Sequence, residues 1–218
     1  MADYKNIIGK PIKLVSTNLD NSQAEGQIWY NSTLGQFKDV ITREAWASAA
    51  NMLNNRRLMA DFGTNTAAVA AGGDANPPSH LTASEHYNGT GWSSGGAMPQ
   101  GMYNASGAGI ETAGLSVGGN NPDGSRSDKT FEYNGTSWTN GGNLTEEREG
   151  GAAFGTETAG VACGGESLFP TPAGGVQQVN STDEYNGTSW TAVNNMSNVR
   201  YFSASVGHTQ TAGAVFGG

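Results

Sequence analysis

The residues able to do chemistry are few and dispersed along this chain. The histidines are His80, His86 and His208, and no HExxH or CxxC spacing sets out metal ligands. Cys163 stands alone in GVACGG, which excludes an intrachain disulfide or a cysteine cage and marks it as a small buried hydrophobe. AGGDANPP, VGGNNPDG and CGGESLFP are glycine-rich enough to approach a phosphate, but they lack GxxxxGK and precede loops instead of helices. DGSRSD, from Asp123 to Asp128, could curl around calcium, yet it lacks the EF-hand spacing and the closing Glu, so it reads as a polar turn. The carboxylates Glu85, Glu132 and Glu184 fall one per repeat, whereas a glycan-cleaving centre needs two in one cleft. His86 occupies the place of Glu132 and Glu184, a drifted repeat position. The expectation is a non-enzyme with no cofactor and no metal.

What recurs is scaffold. YNGTSW stands at Tyr133–Trp138 and again at Tyr185–Trp190, with YNGTGW at Tyr87–Trp92. The pairs Gly72-Gly73, Gly118-Gly119, Gly164-Gly165 and Gly217-Gly218 each follow a tryptophan (Trp46, Trp92, Trp138, Trp190) at a nearly fixed distance, so insertions collect in one loop class. Within a unit, two small-residue strands such as GGAAFG and TAGVACGG precede the variable loop. A strand ending at Tyr follows, then Asn-Gly, then a strand opening at Trp. Asn-Gly between strands predicts a type I′ hairpin, with Tyr and Trp as its packing anchors. The outer hairpin also accounts for the N-x-S/T sequons at Asn31, Asn88, Asn134 and Asn186 without glycans. A repeat of this length with four strands predicts an all-β β-propeller of about four four-stranded blades, because a lone sheet cannot bury both faces and stacked sheets can.

Composition closes off other classes. Glycine, at 33 residues, is roughly twice its ordinary usage. The formal net charge is −8 with no basic cluster, which argues against nucleic acid as a partner. No apolar run approaches the roughly 20 residues of a membrane span, and MADYKNIIGKPIK lacks the apolar core of a secretory leader. The expectation is a product made in the cytoplasm, with no membrane insertion.

The order Trp, Met or Leu, Arg, small apolar strands, Gly-Gly, loop and Glu-Tyr-x-x-x-x-Trp resembles the kelch repeat. It is carried by Trp138, Leu144, Arg148, Gly164-Gly165, Glu184, Tyr185 and Trp190, and by Trp190, Met196, Arg200 and Gly217-Gly218. One unit departs, with Met102 in the arginine place. EGQIWYNSTLGQFK followed by these tandem units is similar to virion structural proteins of tailed phages of marine bacteria, cyanobacteria especially. That resemblance implies a cyanophage-like virion component of the tail-fibre or tail-associated kind, lodged in the virion among other virion proteins as a homo-oligomer. Its expected role is host attachment to a surface glycan or protein. The alternatives are a purely architectural capsid-decoration or tail-knob protein and a glycan-cleaving propeller enzyme.

The expected division is residues 1–43 as an N-terminal arm and hairpin and residues 44–218 as the kelch-like propeller. Gln27–Lys38 reads as an outer hairpin that could complete the last blade and close the ring. The rival is a docking element with closure through neighbouring subunits. Tyr4, Ile12, Leu14 and Trp29 are the candidate virion-docking residues. Asn65, Glu111, Glu157 and Gln210 occupy equivalent loop tips and form a candidate binding ring, joined by Asp123, Arg126 and Asp128 of the variable loops, where recognition on a rigid scaffold usually sits. Arg56, Arg148 and Arg200 recur at one repeat position, which implies a structural job, pairing between blades or with a carbonyl.

Overall fold

A computed structural model describes residues 13–15, 28–39, 48–75, 79–169 and 175–218. The chain divides into two units, Met1–Ser48 and Ala49–Gly218. In the first, β1 (Lys13–Val15) pairs in parallel with β2 (Ile28–Asn31), which forms an antiparallel hairpin with β3 (Gln36–Asp39). Leu14 therefore lies in β1 and Trp29 in β2, while Tyr4 and Ile12 lie outside the described residues.

The second unit is built from the repeats. Its first sheet is β4 (Ala60–Thr64), β5 (Ala67–Ala71), β8 (Ser84–Tyr87) and β9 (Trp92–Ser94), and its elastic loop carries the short pair β6 (Asp74–Ala75) and β7 (Ser79–His80). The second sheet is β10 (Ser106–Ile110), β11 (Ala113–Val117), β12 (Thr130–Tyr133) and β13 (Trp138–Asn140). In the third, β14 (Ala152–Thr156) and β15 (Ala159–Cys163) are followed by an inserted hairpin, β16 (Glu166–Phe169) and β17 (Gly175–Gln178), before β18 (Thr182–Tyr185) and β19 (Trp190–Ala192). The fourth holds two described strands, β20 (Ala204–Thr209) and β21 (Ala212–Phe216). All of these ladders are antiparallel, and no helix occurs among the described residues.

The sheets stack through their first strands in chain order, β4 on β10, β10 on β14 and β14 on β20. The Tyr–Trp pairs of the second and third sheets are each driven onto the sheet before their own. Tyr133 and Trp138 are buried with Phe62, Val69 and Ala71 of the first sheet, and Tyr185 and Trp190 with Ala108, Leu115 and Val117 of the second. Burying such aromatic side chains is the main apolar gain at these two junctions. The indoles are also fixed by direction, since Trp190 Nε1 donates to Thr130 Oγ1 at 2.9 Å and Trp138 Nε1 reaches Ser84 Oγ at 3.4 Å. A closed ring is not seen in the strand order, because β4 and β20 do not pack as neighbouring first strands do.

The Gly-Gly pairs have two physical reasons. Gly72 and Gly73 adopt φ of +67° and +91°, and a Cβ on Gly72 would come within 2.5 Å of the Met102 carbonyl oxygen. That carbonyl accepts a hydrogen bond from Gly73 N at 2.7 Å, and Arg148 and Arg200 carbonyls do the same for Gly119 and Gly165. The second strand of each of the first three sheets thus ends where the following linker docks.

The Asn-Gly corners differ from the expected type I′ turn. Gly89, Gly135 and Gly187 have positive φ, but their asparagines do not. Tyr87 pairs with Trp92 across a four-residue loop, and Asn88 Oδ1 accepts from Thr90 N and Gly91 N at 3.0 and 2.9 Å. Asn134 and Asn186 repeat this, and so does Asn31 in the β2–β3 hairpin, toward Thr33 N and Leu34 N. The side-chain oxygen does the work that a left-handed asparagine backbone would otherwise do.

Candidate functional site

The recurring arginines act inside the sheets. Arg56 Nη1 donates to the carbonyls of Gly72 (3.0 Å) and Ala83 (2.7 Å), while Nη2 meets Glu85 at 2.5 Å. Arg148 donates to the Ser181 carbonyl at 3.1 Å and pairs with Asp183 at 2.5 Å. Both pairs are almost wholly buried. Burial alone would raise the Glu85 carboxyl, but hydrogen bonds from Asn54, Leu53 N and Arg56 outweigh it and hold the pKa below the ordinary value. The departing unit is explained by the same place. There Met102 stands for arginine and Phe131 for the acid, both buried in one apolar cluster. The charge pair of the first and third sheets is thus replaced, on both sides at once, by an apolar pair in the second. Arg200 bonds the Gly217 carbonyl, as Arg56 bonds that of Gly72.

At the tips of the first hairpins, Asn65 is exposed, while Glu111 and Gln210 at the equivalent places reach back to the sheet before. Glu111 lies 3.1 Å from His86 Nδ1, and the other ring nitrogen of His86 lies 2.5 Å from the Tyr133 hydroxyl. In the next junction the Tyr185 hydroxyl donates to Glu132. Burial and that carboxylate push the Tyr185 pKa up to about 12. Glu157 is raised as well, by burial and then by the charge of Glu132. Gln210 Nε2 donates to the carbonyls of Gly160 and Tyr185 at 3.3 and 3.2 Å. His86 therefore does for Tyr133 what Glu132 does for Tyr185. Glu111 and Gln210 thus hold sheet to sheet, whereas Glu157 is set beside the like charge of Glu132.

The second elastic loop divides the remaining candidates. Asp123 is exposed and accepts from Ser125 N and Oγ, which lowers its pKa. Asp128 accepts from Asn143 Nδ2 at 2.9 Å, so the two aspartates serve different partners. Arg126 is buried between Glu149 (3.1 Å) and Glu166. Asn104 and Asn120 donate to the same Glu149 carboxylate. Glu149 and Glu166 were missed by sequence reasoning. They oppose one another across an isolated bridge, as Arg57 opposes Asp74 and Tyr103 opposes Asn120. Aligning the residue after each arginine position with the residue after each Gly-Gly would have found them, and two facing glutamates require a cation from elsewhere.

Two features remain open to a ligand. A cavity of about 620 Å³ lies among the four first strands, lined by Asp61, Phe62, Ser106, Phe154, Val206 and His208 among others. Water reaches Asp61, yet the protein around its carboxyl raises its pKa by desolvation. The β16–β17 hairpin carries the cross-strand pair Leu168–Val176, both about half exposed. Among the described residues, no three His, Cys, Asp or Glu side chains converge as a metal site.

With this geometry in hand, the chain is similar to the solved structure of YjhT, a β-propeller-like protein. The TM-score is 0.58 at 14% identity, over 81% of this chain and 64% of that one. At that identity the likeness is one of fold, and this chain spans less than two thirds of YjhT. No family profile and no curated protein matches the chain. The kelch and virion resemblances thus rest on its own residues.

Proposed function

We propose that this chain is a non-enzymatic, kelch-like β-propeller component of a phage virion, of the tail-fibre or tail-associated kind, with its elastic loops turned to a host-surface glycan or protein. The observation that carries this reading is the contrast between uniform scaffold and divergent loops. The Tyr–Trp junctions and the linker docked on Gly-Gly repeat from sheet to sheet. The second-to-third-strand connections differ each time: a two-residue strand pair, a turn closed by Asn121 and Ser125, and the inserted β16–β17 hairpin. In an antiparallel meander these connections lie at one end of the stack, opposite the Asn65 and Asn-Gly corners. Weak contacts by each copy would add on a particle bearing many.

The architectural reading draws on one specific feature. Leu168 and Val176 form an exposed apolar pair that a neighbouring virion protein could cover. Competition for adsorption decides between the two. Purified chain added to host cells before phage is expected to lower the adsorption rate, and exchange of the β16–β17 hairpin for a short turn is expected to abolish that effect. Undiminished adsorption at saturating chain would refute host recognition and leave the architectural role. Closure of the ring by the N-terminal hairpin within one chain is the rival to closure between copies, and the oligomeric state decides it.

A further inference from the structure

Each junction in the stack joins a receiving face to a presenting face. The receiving face of the first sheet offers the Phe62 ring, and the presenting face of the second supplies Gly114, where a Cβ would overlap that ring. The third and fourth sheets repeat the fit, with Phe154 on Gly213. Between the second and third, smaller Ala108 is compensated by Leu115, which lies against Gly160. Large receiver meets glycine presenter each time.

At the two ends of the stack both kinds of face are left over. The receiving face of the fourth sheet exposes Val206 (58%) and Phe216 (52%), with Ala214 between them also exposed. The places equivalent to Phe216 hold Ala71, Val117 and Cys163, which are exposed by 3% or less. The presenting face of the first sheet carries Ala68 where the later sheets have glycine, beside Tyr87 and Trp92. That aromatic pair is half-buried, whereas Tyr133, Tyr185, Trp138 and Trp190 are buried, and the Tyr87 hydroxyl turns to its own Gly89 carbonyl instead of a preceding sheet. The sizes match across these two faces. Valine replaces phenylalanine on the receiver, and alanine replaces glycine on the presenter.

We infer that a second copy of this chain docks head to tail, its first sheet on the exposed face of the fourth. The Tyr87–Trp92 pair and Ala68 of one copy cover Val206 and Ala214 of the other, and so extend the junction that the chain already makes three times internally. Such an interface is heterologous. Two copies joined reciprocally close a ring, and joined in one direction they grow a filament. The inference uses only the junctions within Ala49–Gly218 and stands apart from the virion reading.

The test is complementation by analytical ultracentrifugation of the full chain. Val206→Arg blocks the receiving face and Ala68→Arg the presenting face. Both positions are at least partly exposed, and circular dichroism and melting curves check that each variant keeps the native fold. The native chain is expected at twice its 22.5 kDa mass or more, each variant at 22.5 kDa, and an equimolar mixture of the two at a dimer mass through the one intact receiver and the one intact presenter. A native monomer at high micromolar concentration overturns the inference and favours closure within one chain. Oligomers indifferent to both substitutions overturn it too, as does a mixture that stays monomeric, because the one intact receiver and the one intact presenter would then have failed to join. Should either variant lose the native fold, cysteines at Ala68 in one preparation and Val206 in another give the same decision. A crosslink between the two supports head-to-tail docking, and its absence under oxidation refutes it.

Discussion

Replacing the buried Arg148–Asp183 pair by the residues found in the second sheet should separate the role of charge from the role of packing. Asp183→Phe alone leaves the Arg148 guanidinium buried without its acid, and Arg148→Met alone leaves the Asp183 carboxylate buried without its cation. Either should destabilise the fold by about 3–5 kcal/mol, because an uncompensated charge remains inside. The double replacement recreates the Met102–Phe131 arrangement, for which the fold already has a template. Apolar substitutes for a buried ion pair are often neutral or stabilising by about 1–4 kcal/mol, so the double variant should recover most of the loss. With a urea slope of about 2 kcal/mol per molar, each single variant should lower the unfolding midpoint by about 2 M and the double should return near the native value. Equilibrium urea unfolding followed by tryptophan fluorescence reads all four corners of the cycle, and the coupling between the sites should be large and favourable. A single replacement costing under about 1 kcal/mol, or a double no better than the worse single, would refute the equivalence of the two pairs.

Gly114→Ala should destabilise by about 1–3 kcal/mol through overlap with Phe62, and Phe62→Ala in the same chain should relieve part of that clash; thermal melts that find the glycine change neutral would remove the close-approach account. Glu157 holds its proton more tightly in the fold than in the unfolded chain, so its contribution favours the fold at acid pH and is lost as pH rises through the raised value. Glu157→Gln should therefore raise the melting temperature more at pH 7 than at pH 4, and an equal change at both would contradict the assignment. The Cys163 thiol is pushed up to about 11 by burial, partly opposed by Arg148, so Ellman's reagent at pH 8 should leave it unmodified until urea is added. Fast labelling of the native chain would place it at an accessible site instead.

Much of the sheet architecture is legible in the repeat spacing. Gly-Gly marks the end of each second strand, and Tyr and Trp flank each outer corner, because at the internal junctions those places must meet a docked carbonyl or a neighbouring sheet. The corner's conformation is not legible in the same way. Asn-Gly suits a left-handed asparagine backbone, but an asparagine side chain can satisfy the same amides, and the surrounding Tyr–Trp pairing selects the latter. The partner of each arginine was hidden for a different reason. Glu85, Phe131 and Asp183 sit two residues before their tyrosines, and the column reads as variable until Met102 and Phe131 are seen to change together. Arg126 looked like a free loop cation, and only the bridge that brings Glu149 to Glu166 explains why it is buried. The tip residues Glu111 and Gln210 looked solvent-facing because the sequence does not give the tilt that carries each hairpin over the sheet before it.

The central claim, that this scaffold serves a virion with its divergent loops outward, is tested most directly by cryo-electron microscopy of the purified particle. The account predicts density that fits the stacked sheets on the tail or its fibres, with the loops at residues 74–83, 120–129 and 166–181 in solvent. Particles with no such density, and no peptides of the chain by mass spectrometry, would contradict it.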